Sequence, residues 1–168
     1  MFRLSPETKD DEYEVEYLFD LAFAPGREAL SSYRLREGVA KIADLSLVAR
    51  DETDGIAGAI RYWPVLVGGA GEAALLLGPV AVHPTHQGEG LGASLIWESL
   101  AQAKKTGWER VILVGDAPYY GRFGFQRASA ISFPPPYNPD RLLALALLDG
   151  GLDRLSGRVR KYPAFSVE

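Results

Sequence analysis

The sequence predicts an α/β (α+β) fold, a single domain over residues 1–168 whose mixed, largely antiparallel twisted sheet is flanked by helices. Three observations carry this expectation. Between Leu45 and Val82 three strand-like segments follow one another across short turns, the pattern of an antiparallel meander. From Ala73 to Val114 the order changes to strand, glycine-rich loop, long amphipathic helix and strand, which is a βαβ unit. The chain is also large enough: 168 residues, 47% of them hydrophobic, suffice for one continuous core without a metal or disulfide staple.

Each element has its own signal. Residues Asp10–Ala24 alternate acids with apolar residues, and Val15, Leu18, Phe19 and Ala22 recur at helical spacing, so an amphipathic helix is expected, ended by Pro25-Gly26. A second helical segment covers Arg27–Arg36 and is closed by Gly38. Leu45–Arg50 reads as a strand, Asp51–Gly55 as a turn, Ile56–Val67 as the returning strand, Gly68–Gly71 as the next turn and Ala73–Val82 as the third strand. In the long helix, Glu89–Thr106, one face carries Ile96, Leu100 and Ala103 with Leu91 and Leu95 beside them, while Glu98, Gln102, Lys104 and Lys105 lie outside. Gly107 stops this helix before the strand Arg110–Val114, and Asp116 caps a short helix through Tyr120. Pro134–Pro136 form a rigid loop, Leu142–Leu148 a strand, Gly150-Gly151 a turn, and Val159–Tyr162 the last strand.

Composition excludes several classes of function. A formal charge of −4 and a pI near 5.3 argue against a nucleic-acid binder, which carries a basic surplus on one face. Met1–Lys9 has no apolar core of a signal peptide, and no run of about 18 apolar residues occurs, so no membrane span is expected. The absence of cysteine fits a reducing compartment, and the location read from these features is cytoplasmic.

The chemistry-bearing feature is Gln87-Gly88-Glu89-Gly90-Leu91-Gly92, set between a strand and a long helix. The first turn of a helix presents unpaired N–H groups and the positive end of its dipole, and glycines let the backbone approach an anion with no Cβ in the way. A P-loop would need Lys followed by Ser or Thr after the last glycine, whereas Ala93-Ser94 follow Gly92. Gly88, Gly90 and Ala93 do satisfy the dinucleotide string G-x-G-x-x-G/A, but five residues, His83–Gln87, separate them from the strand. Glu109, at the distance where that fingerprint wants an acid, precedes the next strand instead of ending it. His83 and His86 are the only histidines, and with no cysteine or third ligand nearby no metal site is expected.

Leu77-Gly78-Pro79-Val80-Ala81-Val82-His83-Pro84, followed by Gln87-x-x-Gly90-x-Gly92, resembles motif A of the GNAT acetyltransferases, with its signature Q/R-x-x-G-x-G/A. Tyr119–Phe125, ending in Gly124-Phe125, resembles motif B. The tail Leu147–Phe165, with Gly157, Tyr162-Pro163 and Phe165, is similar to that of a bacterial subgroup of small N-acetyltransferases. The resemblance implies transfer of an acetyl group from acetyl-CoA to a primary amine of a small-molecule or peptide acceptor, with no metal. The alternatives are a non-catalytic acyl-CoA sensor and, more distantly, a nucleotide-dependent oxidoreductase; a homodimer is an open assembly state.

The resemblance also assigns residues. Gly78-Pro79 interrupts ladder pairing and belongs at a bulge or edge, and the strands Ala73–Val82 and Arg110–Val114 are expected to splay there. The pantetheine arm would pair near Val80, Ala81 and Val82, and the pyrophosphate would lie on the loop residues Gln87, Gly88, Glu89, Gly90, Leu91, Gly92 and Ala93. Tyr120, four residues before Gly124, has the spacing of the family tyrosine that protonates the leaving sulfur, whereas Tyr119 packs or lines the acceptor pocket. The glutamate that many relatives carry on the motif A strand has no counterpart, since Glu72 only precedes Ala73–Val82. Asp116 is read as a helix cap or as the base that reaches the amine, and His83 as a proton relay. Phe19, Phe23, Arg27, Tyr33 and Arg34 are acceptor-side candidates by position.

Overall fold

In the computed structural model, which describes residues 1–23 and 31–163, the meander and the βαβ unit meet in one sheet. The elements are β1 (Arg3–Pro6), α1 (Glu12–Ala22), α2 (Ser31–Arg34), β2 (Leu47–Arg50), β3 (Ile56–Val67), β4 (Glu72–Val82), α3 (Leu91–Lys105), β5 (Arg110–Val114), α4 (Ala117–Gly121), β6 (Gln126–Arg127), β7 (Ile131–Ser132), β8 (Leu142–Ala146) and β9 (Gly157–Lys161). The strand order is β1-β2-β3-β4-β5-β8-β6, antiparallel except where β5 runs parallel to β4. β9 pairs antiparallel with the far end of β3 and parallel with β7. Among the described residues no helix is long and apolar enough to cross a membrane.

The boundaries that depart from expectation do so for local reasons. α1 starts at Glu12 because the Asp11 carboxylate accepts from the Thr8 N–H and hydroxyl, both at 2.9 Å, and so marks the helix entry. It ends at Ala22, where Phe23 turns extended; the expected stop at Ala24 and Pro25-Gly26, the residues Arg27–Leu30 of the second helix, and Phe165 lie outside the described residues. α2 ends at Arg34 rather than Arg36. α3 begins at Leu91, two residues later than Glu89, because Gly90 is left-handed (φ 76°), and it ends at Lys105 with Thr106 as its C-cap. β2 begins at Leu47 because the N–H groups of Leu45 and Ser46 turn back to the Ile42 carbonyl, and β8 stops at Ala146 because those of Leu147 and Leu148 turn to Glu109. β4 gains Glu72, α4 runs one residue past Tyr120, and β9 covers Gly157–Lys161 instead of Val159–Tyr162. β1, an edge strand of four residues, and the two-residue β6 and β7 had no sequence signal.

Helices cover both faces of the sheet. α3 buries Leu91, Leu95, Ile96, Leu100 and Ala103 against Leu75, Leu77, Val111 and Leu113, while on the other face Val15, Leu18 and Phe19 of α1 pack on Val48, Ala59 and Ala81. β4 therefore packs on both faces, Leu75 and Leu77 under α3, Ala81 under α1, and Ala74 and Leu76 in a further cluster with Val65, Ile112, Phe133 and Val159, which explains its apolar sequence. Gly58 lets α3 lie close on β3: a Cβ there would come within 3.0 Å of Leu95 Cδ1 and 3.2 Å of Leu91 Cδ2. Ser99, the polar residue on the buried face of α3, bonds the Leu95 carbonyl and the Tyr62 hydroxyl, each at 2.7 Å.

The sheet parts at one place. β4 pairs with β5 only through Leu75–Val111 and Leu76–Ile112, after which β5 continues against β8 and β4 against β3. Between Ile60–Val80 and Tyr62–Leu77 the register of β3 and β4 slips, so that Arg61 alone faces both Gly78 and Pro79. This is a β-bulge; Gly78 takes φ 132°, and Pro79 has no N–H to donate. The Arg61 guanidinium, buried beneath the bulge, binds Glu7 through two bonds of 2.9 and 3.0 Å and Glu16 at 2.5 Å, so the strand break is tied to the residue just after β1 and to α1. Removing Glu7 leaves the buried guanidinium with Glu16 as its remaining carboxylate, a charge only partly compensated. Glu7→Ala should therefore lower the urea-unfolding free energy by about 3 kcal/mol, whereas Asp140→Ala, which breaks the exposed Arg127–Asp140 bridge, should change it by less than about 1 kcal/mol.

Candidate active site

The parted strands enclose a cleft of about 440 Å³. Its walls are Leu76–Val80 of β4 and Leu113–Asp116 at the end of β5, with Tyr119 and Tyr120 of α4 on one side and Phe23, Tyr33 and Arg36 on the other. A second cavity of about 230 Å³, lined by Glu16, Glu37, Arg61 and Trp63, shares Tyr33, Arg36 and Pro79 with the cleft. The two spaces meet at the bulge. There the Arg36 guanidinium lies 4.1 Å from the Tyr33 ring centroid and 5.7 Å from that of Trp63, and the Trp63 indole N–H donates to the Gly78 carbonyl at 2.9 Å.

The glycine loop leads from β4 to α3. Gly88 and Gly90 have φ of 85° and 76°, and a Cβ on either would point into open space. Ser94 makes the first helical bond, to the Gly90 carbonyl at 3.1 Å, and no side chain caps the helix. The N–H groups of Leu91, Gly92 and Ala93 therefore remain for an anion. Gln87 and Glu89 are exposed and Leu91 is buried in the core. Of the strand residues expected beside the ligand, Val80 lines the cleft, whereas the Ala81 side chain turns into the α1 layer.

α4 brings the tyrosines to the cleft. Asp116 accepts from the Tyr119 N–H at 3.2 Å and Pro118 follows in the first turn, so Asp116 caps α4 and is exposed. Among the described residues lining the cleft it is the one carboxylate. Gly115 gives Tyr120 its place, since a Cβ there would come within 2.7 Å of Tyr120 Cε2. Burial pushes the Tyr120 phenol up to about 12, with Tyr119 adding to the shift and Arg141 opposing it. Tyr119 also lines the cleft, and its hydroxyl reaches toward the start of α3, 3.4 Å from where a Gly92 Cβ would stand.

The remaining candidates are not brought together. Phe19 is fully buried in the α1 layer and Arg34 is exposed, so neither joins Phe23 and Tyr33 at the cleft; Arg27 lies outside the described residues. His83 bonds Thr85 and lines a separate cavity with Glu14 and Asp51. Glu72, at the opposite end of β4, is 3.9 Å from Arg110. Among the described residues no group of three or more His, Cys, Asp or Glu is placed to hold a metal ion. Arg36, Trp63 and Arg141 line the two spaces without any spacing in the sequence to single them out, because the contacts that place them are long-range.

Residues 3–128 match the family model of the acetyltransferase (GNAT) domain. The N-acetyltransferase YhbS of Escherichia coli K12 is 31% identical over 115 residues, 68% of each chain. The crystal structure of E. coli YhbS in complex with CoA superposes with a TM-score of 0.83 at 27% identity, covering 96% of this chain and 89% of that one. That of a GNAT family acetyltransferase from Brucella melitensis in complex with acetyl-CoA does so with 0.72 at 33% identity, covering 99% of both. With the parted β4 and β5 and the glycine loop opening α3, this match over three quarters of its length places the chain in the GNAT family of acetyltransferases.

Proposed function

We propose that the protein is an acetyl-CoA-dependent N-acetyltransferase acting on a primary amine, a single domain over residues 1–168 that works in the cytoplasm. The carrying observation is the adjacency of the cleft and the glycine loop, with Gly88 and Gly90 at positive φ and no Cβ between backbone and open space. The loop suits a pyrophosphate, because orphan N–H groups and the helix dipole converge there. The β4 edge beyond Leu76, parted from β5, suits an extended pantetheine arm, which pairs with backbone as an added strand does. We assign that pairing to Val80, Ala81 and Val82, and the pyrophosphate to the loop Gln87, Gly88, Glu89, Gly90, Leu91, Gly92 and Ala93, held by backbone N–H groups and not by the Glu89 side chain. The CoA and acetyl-CoA complexes of the two structural relatives support this assignment.

Bound acetyl-CoA supplies an acyl thioester; the chain positions it and manages the proton that passes from amine to sulfur. The acceptor enters through the second cavity, whose junction with the cleft at Pro79 lies beside the bulge. Its amine must arrive unprotonated, and Asp116 is the carboxylate we assign to receive that proton or anchor the amine, beside its role as a cap. Tyr120 donates a hydrogen bond to the sulfur as the C–S bond breaks. Burial pushes its phenol up to about 12, so it keeps its proton at neutral pH and is able to donate it.

Thiol release from acetyl-CoA across a panel of amines tests the activity; binding without release on any amine would leave a sensor in place of an enzyme. Gly90→Val puts a β-branched side chain at a left-handed position in the anion's path. Calorimetry should then detect no acetyl-CoA binding to a folded protein, and unchanged affinity would remove the loop assignment. Asp116→Asn should keep stability within about 0.5 kcal/mol, since asparagine caps comparably, and should keep most turnover if capping is the primary role. A loss of kcat of two orders or more at unchanged stability would make Asp116 the base. Tyr120→Phe should lower kcat about 100-fold with little change in acetyl-CoA affinity, and Tyr119→Phe should lower it less. In the wild type kcat should show no alkaline descent from Tyr120 below about pH 10, because the phenol holds its proton.

A further inference from the structure

The glycine loop carries one acid of its own. Glu89 stands between Gly88 and Gly90, where a diphosphate is expected, and its carboxylate would repel that ligand. In the structure Glu89 is turned aside: its Oε2 lies 3.2 Å from Nδ1 of His86. The other ring nitrogen, Nε2, lies 3.5 Å from Oδ2 of Asp51 in the β2–β3 turn, and the Phe2 ring packs edge-on against the imidazole at 5.1 Å. Asp51 is a fixed anchor. Its Oδ1 accepts from the Thr53 N–H (2.9 Å), the Thr53 hydroxyl (2.7 Å) and the Gly55 N–H (3.0 Å), leaving Oδ2 for His86, and these bonds, that of the Thr53 hydroxyl foremost, hold its carboxyl below the usual range.

A neutral imidazole has one N–H and can donate to one of these carboxylates; an imidazolium donates to both. The arrangement is therefore complete only when His86 is protonated. We propose that His86 is a positioning residue for the coenzyme: as imidazolium it ties Glu89 to the Asp51 anchor, holding the loop's acid off the diphosphate and the loop itself in its binding shape. The proposal rests on the reading of this loop as the pyrophosphate site. When His86 loses its proton one tie is lost, Glu89 is released toward the anion, and affinity falls. The other charged groups around the imidazole are Glu14 and His83, which line the cavity on one side of Asp51, and Glu52 and the Met1 amine, paired with each other at 3.2 Å, on the other.

Calorimetric binding of dephospho-CoA tests this, because without the 3′-phosphate the ligand's charge is constant over the range in which histidines titrate, about pH 5 to 8. The wild type should bind about tenfold more weakly at the upper end of that range than at the lower. His86→Gln, which keeps an amide but no charge, should bind weakly throughout and lose the pH dependence, while His83→Gln should retain it. Glu89→Gln, added to His86→Gln, should restore affinity to within about twofold of the wild type at low pH, as expected of coupled neighbours. Wild-type binding that is flat with pH, His86→Gln binding like wild type, or no rescue by Glu89→Gln would each overturn the proposal. Failure of the underlying site reading is separate: it appears as Gly90→Val binding unimpaired, whatever the histidine variants do.

Discussion

One break in one ladder organises this molecule. A continuous β4–β5 pairing would close the sheet and leave no place for a ligand; the bulge at Gly78-Pro79 ends that pairing after Leu76–Ile112 and turns a flat sheet into two diverging halves. A bulge in a buried strand exposes backbone groups to an apolar core, and such groups are costly unless they are satisfied. Here the Gly78 carbonyl is taken by the Trp63 indole, and the lone residue opposite the bulge, Arg61, is clamped by Glu7 and Glu16. The clamp joins α1 and the residue that follows β1 to β3, so the strand break is braced from the start of the chain. That burden explains why an acidic helix with an exposed aromatic face is nonetheless well anchored: its Glu16 is part of the brace.

The second organising contact is the close seat of α3 on β3 at Gly58. It fixes where the helix begins relative to the end of β4, and so where Gly88 and Gly90 turn their backbone outward. The glycine loop and the cleft share a common reference, β3. Electrostatics follow this geometry. Around the bulge charges of both signs alternate, Glu7, Arg61, Glu16, Arg36 and Glu37, while the glycine loop presents backbone dipoles and one acid, Glu89, which contacts His86.

Most of the central fold was legible in the sequence because its signals are local. β5 runs over its expected Arg110–Val114, β3 over its expected Ile56–Val67, and the buried face of α3 is the predicted one, with Ser99 added. The parting of the strands was expected from the resemblance to motif A, with Gly78-Pro79 marking where ladder pairing is interrupted. What escaped was set by distant contacts. β1 has no alternation of its own and exists because β2 offers an edge; Phe19 was placed near the acceptor by sequence proximity, yet α1 turns it inward under Arg61. The helix start moved from Glu89 to Leu91 because a left-handed glycine is invisible to hydrophobic periodicity. Asp116 shows the limit most clearly: the same Asp-Ala-Pro string predicts a cap, and the structure has that cap while also setting the carboxylate at the cleft mouth.

The two walls of the cleft are not equally supported. The β4 wall is pinned along its length by β3 and backed by a helix on each face, whereas the β5 wall continues outward only through β8 to the two-residue β6 at the edge of the sheet. Any adjustment of the aperture thus falls to the β5–β8 side. For engineering a wider tolerance of acyl donors this makes the design problem asymmetric: a replacement on the β5 side acts on a strand whose outer support is β8 and the short β6, while one at Val80 acts on a strand paired with β3 on both sides of the bulge.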